Sequence, residues 1–307
     1  MFQNIGGSML RSKGFSNWLT SSITESSKKK YRHQLLKENV NHRLKIGREL
    51  KLVIQKAHED VRRHLRDIAG QSLDPLGSVS QKDPAEGYPS NLEIKTLKGY
   101  FGEVFAGIIA ENFAPFQEND WKVPAFLFRF HTIAFQQLEL LKQTGVIAKT
   151  IPGRTGDDCL AFKRDNDGNI IKSLVCEAKC TADHDSKMIS QAHEKISEKN
   201  VKPVDLLQLV AILLDYKDQE SLSWVNSLRQ LYFKEKSDYY ERYDLVCYLC
   251  GRFPVQKNRY SWIPSEKPHD KYKGNRKLEA VEVHLPDITK LILYVYDKED
   301  GGNGTAI

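Results

Sequence analysis

The sequence lacks the features that mark membrane-spanning and secreted proteins. Its 307 residues contain no run of roughly 18 apolar residues, the length that a bilayer-spanning helix needs. The amino terminus has neither the charged region nor the apolar stretch of a secretory signal. Five cysteines, an odd and small number for this length, argue against a disulfide framework and for reduced thiols. We therefore expect a cytoplasmic protein that does not bind membranes.

Motifs of several common protein classes are also missing. No Gly-x₄-Gly-Lys-Ser/Thr phosphate-binding loop occurs, so any ATP-driven step must come from another chain. No helix-turn-helix or zinc-finger signature is present. Cys247 and Cys250 form a Cys-x-x-Cys pair, but a structural zinc site needs four ligands and no second pair follows. Residues three apart in a strand face opposite sides, so these cysteines are predicted to be separate buried thiols.

The sequence does contain two strand-like segments joined by a turn. Residues 156–162 and 174–180 each alternate apolar or small residues with charged ones, and no proline interrupts either segment. Asp167 and Gly168 lie between them and suit the positive φ values of a tight turn. The two segments therefore predict an antiparallel hairpin.

The predicted hairpin gathers ionisable side chains. Glu177 and Lys179 are two positions apart and share one face of the second strand, while pairing brings Asp157 and Asp158 to the same end. Two carboxylates, with the backbone carbonyl of Ala178, can hold Mg²⁺ in an oxygen shell that keeps several waters. Lys179 would then lie beside a metal-bound water and a phosphate. The alternative is a solvated hairpin with ordinary surface charges, but the apolar flanking residues favour buried strands.

This pattern resembles the PD-(D/E)XK nuclease superfamily, which has the restriction-endonuclease-like fold. The resemblance rests on Gly156-Asp157-Asp158 and Glu177-Ala178-Lys179 and covers residues 99–215. The chain departs from the family pattern in having Gly156 where the family name has proline. The resemblance implies a nuclease that cleaves phosphodiester bonds, with DNA the favoured substrate and Mg²⁺, or Mn²⁺ in its place, as the cofactor.

The resemblance also implies roles for individual residues. Asp158 is the expected first metal ligand and Asp157 the reserve, because the family's acidic residue precedes an alternating apolar strand. Glu177 is the expected second ligand, and Lys179 would position and activate the attacking water.

Two further residues are assigned by the same resemblance. Glu103, in the helix before the hairpin, would tune or extend the metal site, although a salt bridge to a neighbouring arginine explains it equally well. Gln191, in the helix after the hairpin, would align the substrate or the lysine. His184, in a polar loop after the second strand, is expected at the mouth of the site.

The motif Gly99-Tyr100-Phe101-Gly102-Glu103, in a helix before the Asp and Glu-x-Lys strands, is similar to that of the nuclease subunits of bacterial anti-phage systems, with the helicase-partnered Hachiman type the nearest. This similarity covers the nuclease core only. It implies a helicase or ATPase partner that holds the nuclease in check until foreign or damaged DNA is sensed. The alternative from another class is a catalytically silent nuclease-fold subunit that binds nucleic acid or acts as a scaffold.

The first 90 residues differ in composition from the rest. Residues 1–26 are rich in Ser, Gly and Asn and are predicted to be loosely ordered. Residues 27–69 combine near-helical apolar spacing with excess Lys and Arg, which predicts one long helix or two collinear ones. The basic face would follow a phosphate backbone, or it is merely the solvated side of packed helices. Residues 71–91 read as a linker, so we divide the chain into a basic helical segment, 1–90, and a nuclease domain, 91–307.

The remaining elements predict the fold class. Helices are expected at residues 93–116, 186–198, 204–214 and 220–233, strands at 244–253 and 290–297, and a strand followed by a helix within 125–141. Together they predict an α/β fold, a restriction-endonuclease-like mixed sheet flanked by helices with an N-terminal helical extension. Residues 256–277 form a basic aromatic loop that could stack bases and neutralise phosphates, although an ordinary solvated loop fits slightly better.

Overall fold

The structure, a computed structural model, centres on a sheet of six strands. It describes residues 10–27, 30–70, 83–130, 156–198, 202–233, 240–255 and 260–298. The strands are β1 (Leu19–Glu25), β2 (Tyr31–Glu38), β3 (Cys159–Arg164), β4 (Ile170–Thr181), β5 (Glu241–Cys250) and β6 (Leu278–His284). Their order across the sheet is β1-β2-β6-β5-β4-β3.

The sheet is mixed, with a parallel centre and antiparallel edges. The four central strands β2, β6, β5 and β4 are parallel to one another, whereas the edge strands β1 and β3 pair antiparallel with β2 and β4. Parallel strands need long crossover connections, which place helices over the sheet. The result is an α/β fold with a mixed sheet flanked by helices, as predicted.

The described helices cover both faces of this sheet. They are α1 (Lys13–Trp18), α2 (Arg43–Ala57), α3 (Glu59–Gly70), α4 (Ile94–Asn112), α5 (Ser186–Glu198), α6 (Leu206–Tyr216), α7 (Gln219–Phe233) and α8 (Ile288–Val295). The helices predicted at residues 93–116, 186–198, 204–214 and 220–233 are thus confirmed as α4 to α7. Among the residues that the structure describes, no helix is long and apolar enough to cross a bilayer.

The larger apolar cluster lies between one face of the sheet and helices α1, α2, α4 and α8. α4 is its centre, and Phe101, Phe105 and Ile109 are completely enclosed there. Cys176 and Ala178, alternate residues of β4, contribute from the sheet side. Enclosing each large apolar side chain in this way contributes about 1.5–3 kcal/mol.

Two smaller apolar clusters cover the other face. In one, the α6–α7 pair packs on the β3–β4 edge, and Trp224 lies 6.3 Å from Phe162 between ring centroids. In the other, α5 packs on β5 and β6 around Tyr248. Glu177 and Lys179 lie on this face but belong to neither cluster. These two charged residues form a polar strip of β4 on this face, and Lys195 of α5 contacts Glu177 there.

The N-terminal prediction is wrong in part. Residues 31–38 form strand β2 rather than a helix, and residues 13–25, predicted to be loosely ordered, form α1 and β1. The first six residues of β2 are buried, because an interior strand is covered on both faces and need not alternate apolar with polar residues. The near-helical spacing of the apolar residues therefore gave a misleading signal in this segment. The helical part of the prediction is confirmed by α2 and α3.

The predicted division near residue 90 does not separate two structural units. β2 pairs with β6, so strands from both sides of residue 90 belong to one sheet. Phe15, Trp18 and Leu50 lie in the same apolar cluster as α4. The first part of the chain is therefore a component of the core and not an appended helical extension.

The C-terminal elements are also corrected. Residues 290–297 were predicted as a strand, but Ile288–Val295 form helix α8. Strand β6, the last strand among the described residues, was not predicted. Ile288, Leu291, Ile292 and Val295 are buried at helical spacing, a signal that the β-branched composition obscured. The helix predicted within 125–141 falls mostly on residues outside the described ones.

Candidate functional site

The predicted hairpin is present, and its register places Asp158 opposite Glu177. β3 and β4 pair antiparallel with Cys159 opposite Cys176, and Gly168 in the turn has a φ of 82°. Continued by one residue, this register sets Asp158 across from Glu177. Directly opposed residues in an antiparallel pair lie on the same face, with Cβ atoms about 5 Å apart. The hairpin therefore brings the two predicted metal ligands together.

A hydrogen bond to β4 fixes the carboxylate of Asp158. The N–H of Ala178 donates to Asp158 Oδ2 at 2.8 Å. The side chains of Ala178 and Cys180 enter the cluster beneath α4, so Glu177 and Lys179 face the opposite side of the sheet. The alternation predicted along this strand is confirmed.

Glu177 is enclosed, and Lys179 reaches it from the same strand. The Nζ atom of Lys179 lies 2.8 Å from Glu177 Oε1. The side chain of Glu177 is 0% exposed and that of Lys179 is 24% exposed, so the ion pair extends from the interior towards the surface. An enclosed carboxylate needs such a partner because removing an unpaired charge from water costs several kcal/mol.

A second lysine, which sequence reasoning did not assign to the site, contacts both carboxylates. Lys195 of α5 places its Nζ atom 2.8 Å from Glu177 Oε2 and 3.5 Å from Asp158 Oδ1. Burial alone would lower the pKa of Lys195, but the attraction to Asp158 and Glu177 outweighs it and raises the pKa above its ordinary value. The available signal was helical spacing, because Lys195 lies one turn after Gln191.

Asp158, Glu177, Lys179 and Lys195 form what we call the carboxylate–lysine cluster. It contains two carboxylates and two ammonium groups, so its formal charges cancel. Because one ammonium contacts both carboxylates, a single cation is able to contact both. Paired carboxylate oxygens are also the ligands that hard divalent cations prefer, so the cluster fits Mg²⁺ or Mn²⁺ chemically.

Asp157 lies outside this cluster and is hydrogen-bonded to the residues that precede α6. Its side chain is fully buried, and its Oδ2 accepts a hydrogen bond from the N–H of Val204 at 3.1 Å. The N–H of Asp157 donates to Asp205 Oδ2 at 2.7 Å. Of the two adjacent aspartates that the sequence proposed, Asp158 is therefore the one beside Glu177.

Glu103 and Gln191 are placed differently. Glu103 is buried on α4, which packs against Ala178 on the sheet face opposite to Glu177. In the part of the chain that the structure describes, no three His, Cys, Asp or Glu side chains are grouped to hold a metal ion. Gln191 is exposed on α5, one turn before Lys195. The roles of Glu103 and Gln191 stay predictions.

An aromatic group borders the cluster. Tyr248 of β5 is the cross-strand neighbour of Lys179, and its hydroxyl oxygen lies 3.3 Å from His184 Nδ1. The ring of His184 stacks on Trp262, with centroids 3.8 Å apart and planes inclined by 8°. The described part of the predicted basic loop, residues 260–277, therefore reaches the strand that adjoins the site.

The Cys-x-x-Cys pair is split between the two faces of the sheet. Cys247 lies in the apolar cluster beneath α4, and Cys250 lies in the cluster beneath α5. All five cysteines are free and buried. Burial raises the pKa of Cys180 to about 12, which keeps that thiol protonated at neutral pH. The prediction of separate buried thiols is confirmed.

Comparison with known proteins does not assign this chain to a family. No protein-family model matches it, and no curated protein matches it in sequence. A functional conclusion must therefore rest on the site residues and their arrangement.

Proposed function

We propose that the protein is a metal-dependent nuclease that hydrolyses phosphodiester bonds in nucleic acid, with DNA favoured. The observation that carries the proposal is the carboxylate–lysine cluster. Asp158 and Glu177 face each other across the hairpin within contact of one cation, and Lys179 lies beside them. Paired carboxylates can hold the metal ion, and an adjacent ammonium can stabilise the charge that develops on the phosphate.

Three residues of the cluster have distinct roles in this reaction. Asp158 and Glu177 would hold Mg²⁺ or Mn²⁺ through their oxygens. When bound, the ion supplies a Lewis acid and lowers the pKa of coordinated water. Lys179 orients the attacking water and stabilises the negative charge that develops on the phosphate. Because Glu177 is enclosed, these charges act where water screens them little.

A cleavage assay with matched variants tests the proposal. Purified protein is incubated with plasmid DNA or RNA in MgCl₂ and, separately, in EDTA. We expect cleavage of DNA in MgCl₂ only. Glu177→Gln and Lys179→Met should each lower the cleavage rate by about 100-fold or more, because each removes a charge needed in the transition state.

The controls are charge changes on the exposed side of α5. Glu194 is 50% exposed and pairs with Lys271, and Lys187 is exposed near the helix start. Glu194→Gln and Lys187→Met make the same chemical changes outside the cluster and should cleave as the parent does. Parent-like cleavage by Glu177→Gln would contradict the proposal.

The second candidate is a catalytically silent subunit that binds nucleic acid or acts as a scaffold. The balanced charges of the cluster favour it, because Lys179 and Lys195 satisfy the two carboxylates without a metal ion. This candidate predicts nucleic-acid binding that is unchanged by MgCl₂, with no cleavage in any of the assays above.

We also propose, on the resemblance of the Glu103 helix and the Asp158 and Glu177-x-Lys179 strands alone, that the nuclease is the effector of an anti-phage defence complex with a helicase or ATPase partner. Such a partner should copurify when neighbouring genes are expressed together. The cleavage rate of the isolated protein should differ from that of the complex. Equal rates in the two states would remove the regulatory part of this proposal.

A further inference from the structure

Lys195 occupies the place where a shared cation would have to lie. Its Nζ atom is 2.8 Å from Glu177 Oε2 and 2.9 Å from Oε1, and 3.5 Å from Asp158 Oδ1. These are the carboxylates that the proposed function assigns to the metal. An ammonium and a divalent ion cannot both occupy the position between the two carboxylates, because like charges so close repel each other strongly.

The position of Lys195 on the fold allows it to leave. Its side chain is 34% exposed and extends from α5, a different element from the hairpin that carries both carboxylates. Lysine has a long flexible stem, so its ammonium can move into solvent while the helix stays in place. Lys179, in contrast, projects from β4 beside Glu177.

We propose that Lys195 is a built-in competitor of the metal: it neutralises Asp158 and Glu177 until a divalent cation displaces it, and its released ammonium then binds a phosphate of the nucleic acid. This inference rests on the proposed function and adds a residue that links metal loading to substrate binding. The two roles have opposite consequences when the charge of Lys195 is removed. The affinity for metal increases, and the affinity for nucleic acid decreases.

Calorimetric titration of the full-length protein with MgCl₂ and MnCl₂ tests the first consequence. Lys195→Met keeps the length of the side chain and removes its charge. We expect the variant to bind metal at least about tenfold more tightly. A neighbouring cation commonly shifts the binding of a proton to a carboxylate by one to three powers of ten, and it should oppose the binding of a metal ion in the same way. Lys195→Arg keeps the charge and should bind metal as weakly as the parent. Lys187→Met, on the same helix, is the control.

Fluorescence anisotropy with a labelled DNA duplex tests the second consequence. CaCl₂ replaces MgCl₂ to slow cleavage. We expect Lys195→Met to bind the duplex at least about threefold more weakly at saturating metal, because it lacks one phosphate contact. If Lys195 had a purely structural role, its replacement would weaken the binding of both the metal ion and the DNA, and the two affinities would not change in opposite directions.

A third measurement uses the unaltered protein, so its result does not depend on whether a variant folds. Acetylation of lysine side chains is followed by mass spectrometry without and with saturating MgCl₂. Metal binding should increase the modification of Lys195, since its ammonium leaves the ion pair. Unchanged or decreased modification overturns the inference.

The outcomes separate this inference from the nuclease proposal. Equal or weaker metal binding by Lys195→Met, with metal-dependent cleavage by the parent, overturns the role of Lys195 and leaves the nuclease intact. A parent protein that neither binds Mg²⁺ nor cleaves nucleic acid overturns both.

Discussion

Two glutamates on β6 show how the sheet holds charge in its interior. Glu279 is fully buried and lies across from Arg32 of β2, with Oε1 3.6 Å from Nε. Burial raises the pKa of Glu279 to about 7, although Arg32 acts in the other direction. Burial also acts to raise the pKa of Glu282, but hydrogen bonds, the strongest from His284, outweigh it and lower the pKa to about 2. The pKa values of two glutamates only three positions apart are thus shifted in opposite directions.

Replacing Glu279 by Gln should remove part of the pH dependence of stability. The folded-state pKa of about 7 lies above the ordinary value of 4.5, so the carboxyl group's contribution is fully present below pH 4.5 and is lost as the pH rises through 7. A shift of this size corresponds to on the order of 3 kcal/mol. The amide oxygen of Gln can still accept the hydrogen bond from the N–H of Phe116. Urea unfolding between pH 4.5 and 8 measures the free energy of unfolding of parent and variant. If this free energy has the same pH dependence in both proteins, the prediction is wrong.

At the scale of elements, α4 determines where the backbone of β4 lies. A Cβ atom added at Gly102 would be 3.4 Å from the Cβ of Ala178 and 3.6 Å from that of Cys180. These are ordinary contact distances, so a methyl group fits and a larger group does not. Ala178 and Cys180 alternate with Glu177 and Lys179. The helix on one face therefore supports the strand that carries the candidate site on the other.

Substitutions at Gly102 should have opposite effects according to size. Gly102→Ala should be neutral or stabilise the fold by up to about 1 kcal/mol, because alanine restricts the unfolded chain and favours a helix. Gly102→Leu should destabilise it by about 1–3 kcal/mol, because the core is overpacked. Chemical unfolding of both variants checks this. Equal stabilities for the two variants would show that α4 and β4 are less closely packed than the structure indicates.

At the scale of the whole molecule, the sheet unites the two ends of the chain. β2 and β6 are parallel neighbours although about 250 residues separate them in sequence. α8 packs against α2, where Gln55 Nε2 donates to the carbonyl of Val295 at 2.8 Å. The centre of the sheet is therefore completed only after the last strand has joined the first part of the chain.

A chain that begins at residue 91 should not fold on its own. It lacks β2, which leaves a long edge of β6 unpaired, and it lacks Trp18, Leu36 and Leu50, which are 0% exposed in the intact protein. We expect the shortened chain to show no cooperative thermal transition by circular dichroism, whereas the full-length protein shows one. A cooperative transition at the temperature of the full-length protein would restore the division at residue 90.

Local patterns in the sequence were sufficient for the hairpin and for helices α4 to α7. Alternation and an Asp-Gly turn are short-range signals, and they correctly placed Glu177 and Lys179 on one face, away from Ala178. Helical periodicity is equally local. The proposed ligands Asp158 and Glu177 could therefore be paired without knowledge of the fold.

Tertiary structure decided those elements and site residues whose conformation or position depends on neighbours distant in sequence. β2 is a strand because β6 pairs with it, and α8 is a helix because its buried side packs on α2. The same dependence bound Asp157 to the residues before α6, placed Glu103 on the opposite face, and brought Lys195 to the two carboxylates. The physical reason is that burial and charge pairing are set by contacts across the sheet, which no stretch of sequence contains by itself.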